Sequence, residues 1–350
     1  MENTELLTDR IFGLSNIKGI SDIHLKPGFS PITRVQGKLN DSGIGILSSE
    51  DIDGIIRSLF SEYNYNDFKN EHQADAAVTY NNRRYRLNAY VDMNGCNLAI
   101  RCLNSVISND MGVELPPVMF SAAEQKSGLI LITGPTGSGK TTSMATLIQH
   151  INMTSSLHII TIEDPIEYIF KPEKCIITQR EVGENTNSFA SALHSALRED
   201  PDVIVLGEMR DIESIQGAIQ AAETGHLVFA TLHTRGAVNS IDRIIDVFPA
   251  EKQSLLRVEL SMVITAVMSQ QLIPAADGNG RVLATEIMLG TDAIKNLIRT
   301  GKTQLITSSI QSSRKIGMHT MDTCLEELYR AKKITADDRR TYSYGAYDIM

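Results

Sequence analysis

The run LILITGPTGSGKTT at residues 129–142 constrains the fold of this chain more than any other stretch. Gly134, Gly139, Lys140 and Thr141 stand at the G-x-x-x-x-G-K-T spacing directly behind four apolar residues, which is the order strand, tight turn, helix. Residues 129–132 read as a buried strand, and a helix opens near Lys140. Between them Gly134, Pro135, Thr136, Gly137, Ser138 and Gly139 make a turn whose backbone N–H groups converge on phosphate oxygens at the positive end of that helix. Lys140 is expected to reach the β and γ phosphates of ATP, and Thr141 to hold Mg²⁺ through its hydroxyl. Thr142 ends the binding stretch.

A loop of this kind needs a parallel sheet behind it, and the following sequence supplies one. Wholly apolar runs at residues 129–132, 157–162, 203–206 and 227–231 alternate with helical spacing, the pattern of a parallel sheet covered on both faces. Phe189, Leu193, Ala196 and Leu197 mark one helix, and Ile212, Ile215 and Ile219 another. Residues 251–272 read as a longer helix, followed by a polar turn at 275–280 and a strand at 282–288. Helices are expected at 292–299, 303–312 and 321–332.

The chain before residue 104 reads differently. Leu6, Leu7, Ile11, Leu14 and Ile17 have helical spacing, residues 22–26 are extended, Pro27-Gly28 turns, and residues 32–39 form a second extended stretch. Ser48 and Asp51 make an S-x-x-D cap for a helix with Ile52, Ile55, Ile56 and Leu59 on its apolar face. Extended runs at 74–80, 83–91 and 96–103 follow, with turns at Asn81-Asn82 and Asn94-Gly95. Residues 1–103 therefore read as an α+β domain, 104–117 as a linker and 118–350 as the α/β domain. A chain of 350 residues is long enough for two domains.

A hydrophobic content of 42% and a charged content of 21% are ordinary for a soluble globular protein. The formal charge of −9 argues against a nucleic-acid partner, whose phosphates are held by clustered Lys and Arg. The start carries no basic segment followed by an apolar one, and no apolar run reaches the ~18 residues of a membrane span, so a cytoplasmic protein without a transmembrane segment is expected. Cys96, Cys102, Cys175 and Cys324 form no C-x-x-C pair and read as small core residues.

Hydrolysis needs acids to manage Mg²⁺ and water. Glu163 and Asp164 end one apolar strand in IITIEDPIEY, and Glu208 ends another in VIVLGEMRD. Ligands of open parallel sheets bind beyond the carboxyl ends of the strands, so both glutamates are expected to face the loop. His226 and His233 bracket the apolar run LVFATL. His233 lies at its carboxyl end and can approach a γ-phosphate, whereas spacing gives no such reason for His226. Arg84, Arg86 and Arg101 lie on the N-terminal strands. A solvated strand face is the ordinary place for them, and arginine fingers are the alternative.

Taken together, SDIHLKPG, GPTGSGKTT, TIEDPIEY, QREVG, LREDPDVIVLGEMRD, ETGHLVFATLHT, IDRIIDVFP and AIKNLIRTGK resemble the PilT family, the type IV pilus retraction ATPases of the type II/IV secretion ATPase superfamily. These runs lie within residues 21–325. The resemblance implies a PAS-like N-terminal domain, a RecA-like P-loop ATPase domain and a homohexamer that works on an inner-membrane pilus platform protein. It implies that Glu163 is the general base, that Glu208 acts through Mg²⁺, that His226 and His233 form a histidine box, and that Arg84, Arg86 and Arg101 are presented to nucleotide. Pilus-assembly and type II/IV secretion ATPases are the alternative. They commonly carry two C-x-x-C pairs before the strand at Val282, where this chain has no cysteine. The family's AIRNLIRE differs here at Lys295 and Thr300, and the tail TYSYGAYDIM matches nothing in the pattern.

Overall fold

In a computed structural model, residues 2–81, 83–103 and 113–345 are described. The chain divides into two compact units. The first is built from the described residues up to Leu103 together with Pro165–Ile169 and Glu181–Asn185, and the second from the remaining described residues. Residues 104–112 of the expected linker, and Asn82 of the expected turn, lie outside the described residues.

The first unit is a six-stranded antiparallel sheet in the order β3-β2-β1-β6-β5-β4, made of β1 (Ile20–Leu25), β2 (Ile32–Val35), β3 (Lys38–Asp41), β4 (Gln73–Tyr80), β5 (Arg83–Asp92) and β6 (Gly95–Cys102). One face is covered by α1 (Glu2–Gly13), α2 (Ser49–Leu59) and α3 (Glu62–Glu71). Strand alternation sends Ile23, Leu25, Tyr85, Leu87, Leu98 and Ile100 into that core. It sends Asp22, Arg84, Arg86 and Arg101 to the other face. The helix cap forms as expected, with the Ser48 hydroxyl accepting from Asp51 N and the Asp51 carboxylate from Ser48 N. Residues 32–39 are two strands rather than one, because Gln36 and Gly37 both take positive φ and reverse the chain. The expected Asn94-Gly95 turn is shifted by one residue: Gly95 already pairs with Asp92, leaving Met93 and Asn94 at the tip.

The second unit is a seven-stranded sheet in the order β13-β12-β7-β11-β10-β8-β9. Its strands are β7 (Gly128–Thr133), β8 (His158–Glu163), β9 (Ile176–Glu181), β10 (Val203–Leu206), β11 (Leu227–Leu232), β12 (Ile264–Pro274) and β13 (Arg281–Leu289). β8, β10, β11, β7 and β12 run parallel, and β13 returns antiparallel. Around it lie α4 (Pro117–Ala123), α5 (Lys140–Thr154), α6 (Phe189–Ala196), α7 (Ile212–Glu223), α8 (Ala237–Asp246), α9 (Ala250–Val263), α10 (Asp292–Arg299), α11 (Ile306–Ser312), α12 (Met321–Arg330) and α13 (Ala336–Tyr342).

Residues 251–272 are not one helix. α9 stops at Val263, and Ile264 onward is strand β12, paired with β7 in the register Ala266↔Ile130 to Ser269↔Thr133. Pairing with the central strand wins over local helical spacing because Ile264, Thr265 and Val267 are β-branched and fit a pleated surface. At residue 295 the Lys in place of the family's Arg donates to Met262 O at 3.4 Å, serving the last turn of α9. Among the described residues no helix is long and apolar enough to cross a membrane.

All four cysteines are free, and Cys175 is buried while the others are half-buried. Burial pushes the Cys102 thiol up to about 11 and also raises Cys96, Cys175 and Cys324. Only the thiolate reacts, so iodoacetamide at pH 8 is expected to label Cys102 about a hundredfold more slowly in the folded chain than in urea, read by mass spectrometry. Equal rates would contradict the packing.

Candidate active site

Four parallel strands end at one edge of the second sheet, and each delivers a functional segment there. β7 leads into the loop at 134–139 and then α5, β8 ends in Glu163, β10 runs into Gly207 and Glu208, and β11 into His233. The loop depends on glycine. Gly134 has φ +147, and a Cβ there would lie 2.3 Å from Gln270 O, so any larger residue would push the loop off β12. Gly137 and Gly139 take left-handed conformations that bring the chain round into α5.

Lys140, 8% exposed, folds its amino group over the loop, donating to Gly134 O at 2.9 Å and Pro135 O at 3.2 Å. His233 Nδ1 stands 3.4 Å from Lys140 Nζ and 3.3 Å from Thr136 Oγ1, and its Nε2 is 3.3 Å from Glu208 Oε1. An ammonium can only donate, so Nδ1 accepts and Nε2–H points at Glu208. His233 thus links the loop lysine to the glutamate. Arg210 pairs with Glu208 at 2.9 Å. Burial pushes the Glu208 carboxyl up, but the Arg210 hydrogen bond and charge, with His233 beside it, outweigh this and hold it below the usual carboxylate range. It is therefore ionised at neutral pH, as a ligand for a divalent cation must be.

Glu163 is buried at the end of β8. Its Oε1 accepts from Thr161 Oγ1 at 2.6 Å and from Gln179 Nε2 at 3.3 Å. A Cβ on Gly207 would come within 3.3 Å of Glu163 Cα, so the lack of a side chain lets the two acidic strand ends lie side by side. The Ser138 hydroxyl is buried with no hydrogen-bond partner among the described residues. An orphaned donor inside a turn of convergent N–H groups, next to a lysine, fits a bound polyphosphate.

His226 is not part of this cluster. It precedes β11 at the opposite edge of the sheet, where its Nδ1 faces Ala221 O at 2.9 Å and Thr224 Oγ1 at 3.2 Å at the end of α7. A six-residue strand separates the two histidines by roughly 20 Å at ~3.3 Å per residue.

The three arginines lie on the outer face of the first unit's sheet. Arg86 and Arg101 are directly opposite one another on β5 and β6, and Arg101 pairs with Asp22 at 3.1 Å. Arg86 faces Asp75 at 3.8 Å, so each of the two guanidinium groups has a carboxylate beside it. Arg84 differs, because it is largely buried against Glu181 and Ile166.

Several residues that the sequence reading did not single out take part. Thr161 and Gln179 hold Glu163, Gln270 Nε2 donates to Ser138 O at 2.7 Å, and Arg281 reaches Gly137 O at 3.5 Å. Gln270 carries a signal in principle, as an amide set inside the apolar run of β12, where it is fully buried.

A family model described as Type II/IV secretion system protein matches residues 75–337. The chain belongs to the type II/IV secretion system protein family. Within this family it is 41% identical over 341 residues to the type IV pilus retraction ATPase PilT of Pseudomonas aeruginosa, covering 97% of each chain. It is 42% identical over 312 residues to the twitching motility protein of Neisseria gonorrhoeae, covering 89% of this chain and 83% of that one. Among solved structures of the type II/IV secretion system family, that of the pilus retraction motor PilT with bound ADP superposes with a TM-score of 0.88 at 42% identity, covering 99% of both. The family resemblance read from the nucleotide boxes is the one found.

Proposed function

We propose that this chain is a hexameric ATPase motor that hydrolyses ATP to power type IV pilus retraction, working on a platform protein from the cytoplasmic face of the inner membrane. The observation that carries this is the meeting of Lys140, His233 and Glu208 at the strand edge that also ends in Glu163, in a chain similar along nearly its whole length to a retraction ATPase. The α/β unit is RecA-like in this reading, and the smaller sheet with its helices is PAS-like. We assign residues 1–103 and 118–350 to these two domains, with 104–117 as the linker, although Pro165–Ile169 and Glu181–Asn185 cluster with the first of them.

The N–H groups of residues 136–142 hold the phosphates of ATP, and Lys140 exchanges its loop carbonyls for charge-assisted bonds to phosphate oxygens. Thr141 and Glu208 hold Mg²⁺, which neutralises phosphate charge. Glu163 takes a proton from the attacking water; with Oε1 engaged by Thr161 and Gln179, the carboxylate is held in one orientation. His233, hydrogen-bonded at both ring nitrogens, relates the γ-phosphate end of the loop to Glu208. Arg86 and Arg101 are assigned to supply positive charge to nucleotide. His226 has a structural role at the end of α7.

The turn at 275–280 joins β12 and β13 without cysteine, which supports retraction over the assembly and secretion alternative. Two measurements test the reading. The purified protein is expected to turn over ATP with Mg²⁺, and deletion of the gene in a piliated host is expected to leave pili present or in excess while retraction stops. Bald cells would overturn it.

A further inference from the structure

We infer that Arg84 and Glu181 are positioning residues that set the place of Glu163 through strand β9 and Ile166, and that Arg84 does not itself touch nucleotide. The inference rests on the ATPase reading. Arg84 and Glu181 form an ion pair with side chains 13% and 5% exposed. Arg84 Nε also donates to Ile166 O at 3.1 Å, and Ile166 N donates to Glu181 Oε2 at 3.1 Å. Ile166 is thus gripped at both its N–H and its C=O by the two halves of one ion pair.

Ile166 stands three residues after Glu163, with Pro165 between them. Proline fixes its own φ and restricts the residue before it, so little slack remains between the grip and Glu163. A second path reaches the same carboxylate. Gln179 and Glu181 are alternate residues of β9 and project from one face. Gln179 donates to Glu163 Oε1 and accepts from Phe170 N at 2.9 Å. Glu181 and Ile166 belong to the first unit, and Gln179 and Glu163 to the second. Both routes to Glu163 therefore run through short stretches of chain, residues 163–166 and 179–181.

The anchoring extends further into the first unit. Glu181 N donates to Asn185 Oδ1 at 3.0 Å, and Glu184 accepts from Ser61 Oγ at 2.8 Å and from Asn64 at the start of α3. The grip on Ile166 is therefore itself held in place, and Glu163 lies three residues from it. A guanidinium already held by a buried carboxylate and a carbonyl is spent as a tie, in contrast to Arg86 and Arg101 on the open face.

Turnover and ATP affinity of the full chain separate this from a direct role. Arg84→Ala and Glu181→Gln are each expected to lower kcat about ten- to a hundredfold, the cost of misplacing a reacting group by about 1 Å, with KM for ATP within about twofold. The double variant is expected to fall no further than either single one, because both remove the same tie. Arg84→Lys, which keeps the charge but loses the fork that spans Glu181 and Ile166, is expected to recover only part of the loss. Gln179→Met leaves the ion pair intact and is expected to lower kcat in the same way, which keeps the test decisive if Arg84→Ala fails to fold. Loss of ATP affinity in Arg84→Ala without a matching effect of Glu181→Gln, additive losses, or wild-type kcat in Glu181→Gln or Gln179→Met would overturn the positioning role alone. A wild-type protein without ATP turnover would overturn the ATPase reading and this inference with it.

Discussion

Lys140→Ala is expected to abolish nucleotide binding. The residue is 8% exposed and its amino group is already bonded to Gly134 O and Pro135 O, so it sits inside the turn assigned to the phosphates rather than beside it. Truncation removes the charge that phosphate oxygens pair with, and it also removes the brace that holds the loop carbonyls and His233 Nδ1. Losing one partner of a desolvated, hydrogen-bonded charge pair costs roughly 2–5 kcal/mol, or about one and a half to three and a half orders of magnitude in affinity. Titration with a fluorescent ATP analogue measures this, and a melting curve separates it from unfolding. Binding within tenfold of wild type would remove Lys140 from the phosphate site.

Glu163→Gln is expected to separate binding from hydrolysis. Glutamine has the same shape, and its amide oxygen can still accept from Thr161 and Gln179, so the end of β8 stays in place. What disappears is the capacity to take a proton. General-base catalysis contributes about 10² to 10⁴ in rate, and kcat is expected to fall by that factor with ATP affinity unchanged within about twofold. Turnover near the wild-type rate would sink the base assignment and direct attention to Glu208 instead.

Lys140 and Glu163 are legible in the sequence because their signals are local. The loop is defined by spacing within one turn of chain, and Glu163 by the abrupt end of an apolar run. The cap at Ser48 and Asp51 belongs to the same class, since its hydrogen bonds close within three residues. Strand β12 is not legible, because only pairing with β7 and β13 converts residues 264–272 from helical spacing to strand. The edge strand β9 shows no alternating pattern and goes unassigned in the sequence reading. Helix α8 also goes unassigned in the sequence reading, although Ile241, Ile244 and Ile245 lie at helical spacing and are fully buried.

The histidines and arginines show where such reading ends. His226 and His233 look equivalent as a pair around one strand, yet the strand's length places them at opposite edges of the sheet. Arg84 and Arg86 look equivalent two residues apart on β5. Register sets Arg86 against Arg101, while Glu181, nearly a hundred residues on, takes Arg84 into an ion pair.

The order of residues in the chain was enough to establish the glycine-rich strand–turn–helix, the acidic strand ends, the parallel sheet and the family, because each rests on short-range spacing or on continuous apolar runs. Tertiary structure alone decided which histidine joins Lys140 and Glu208, which arginine is tied down, and that Gln179 and Thr161 hold Glu163. Those outcomes depend on strand order and register, which bring together side chains that are remote in sequence and carry no local mark of their partners.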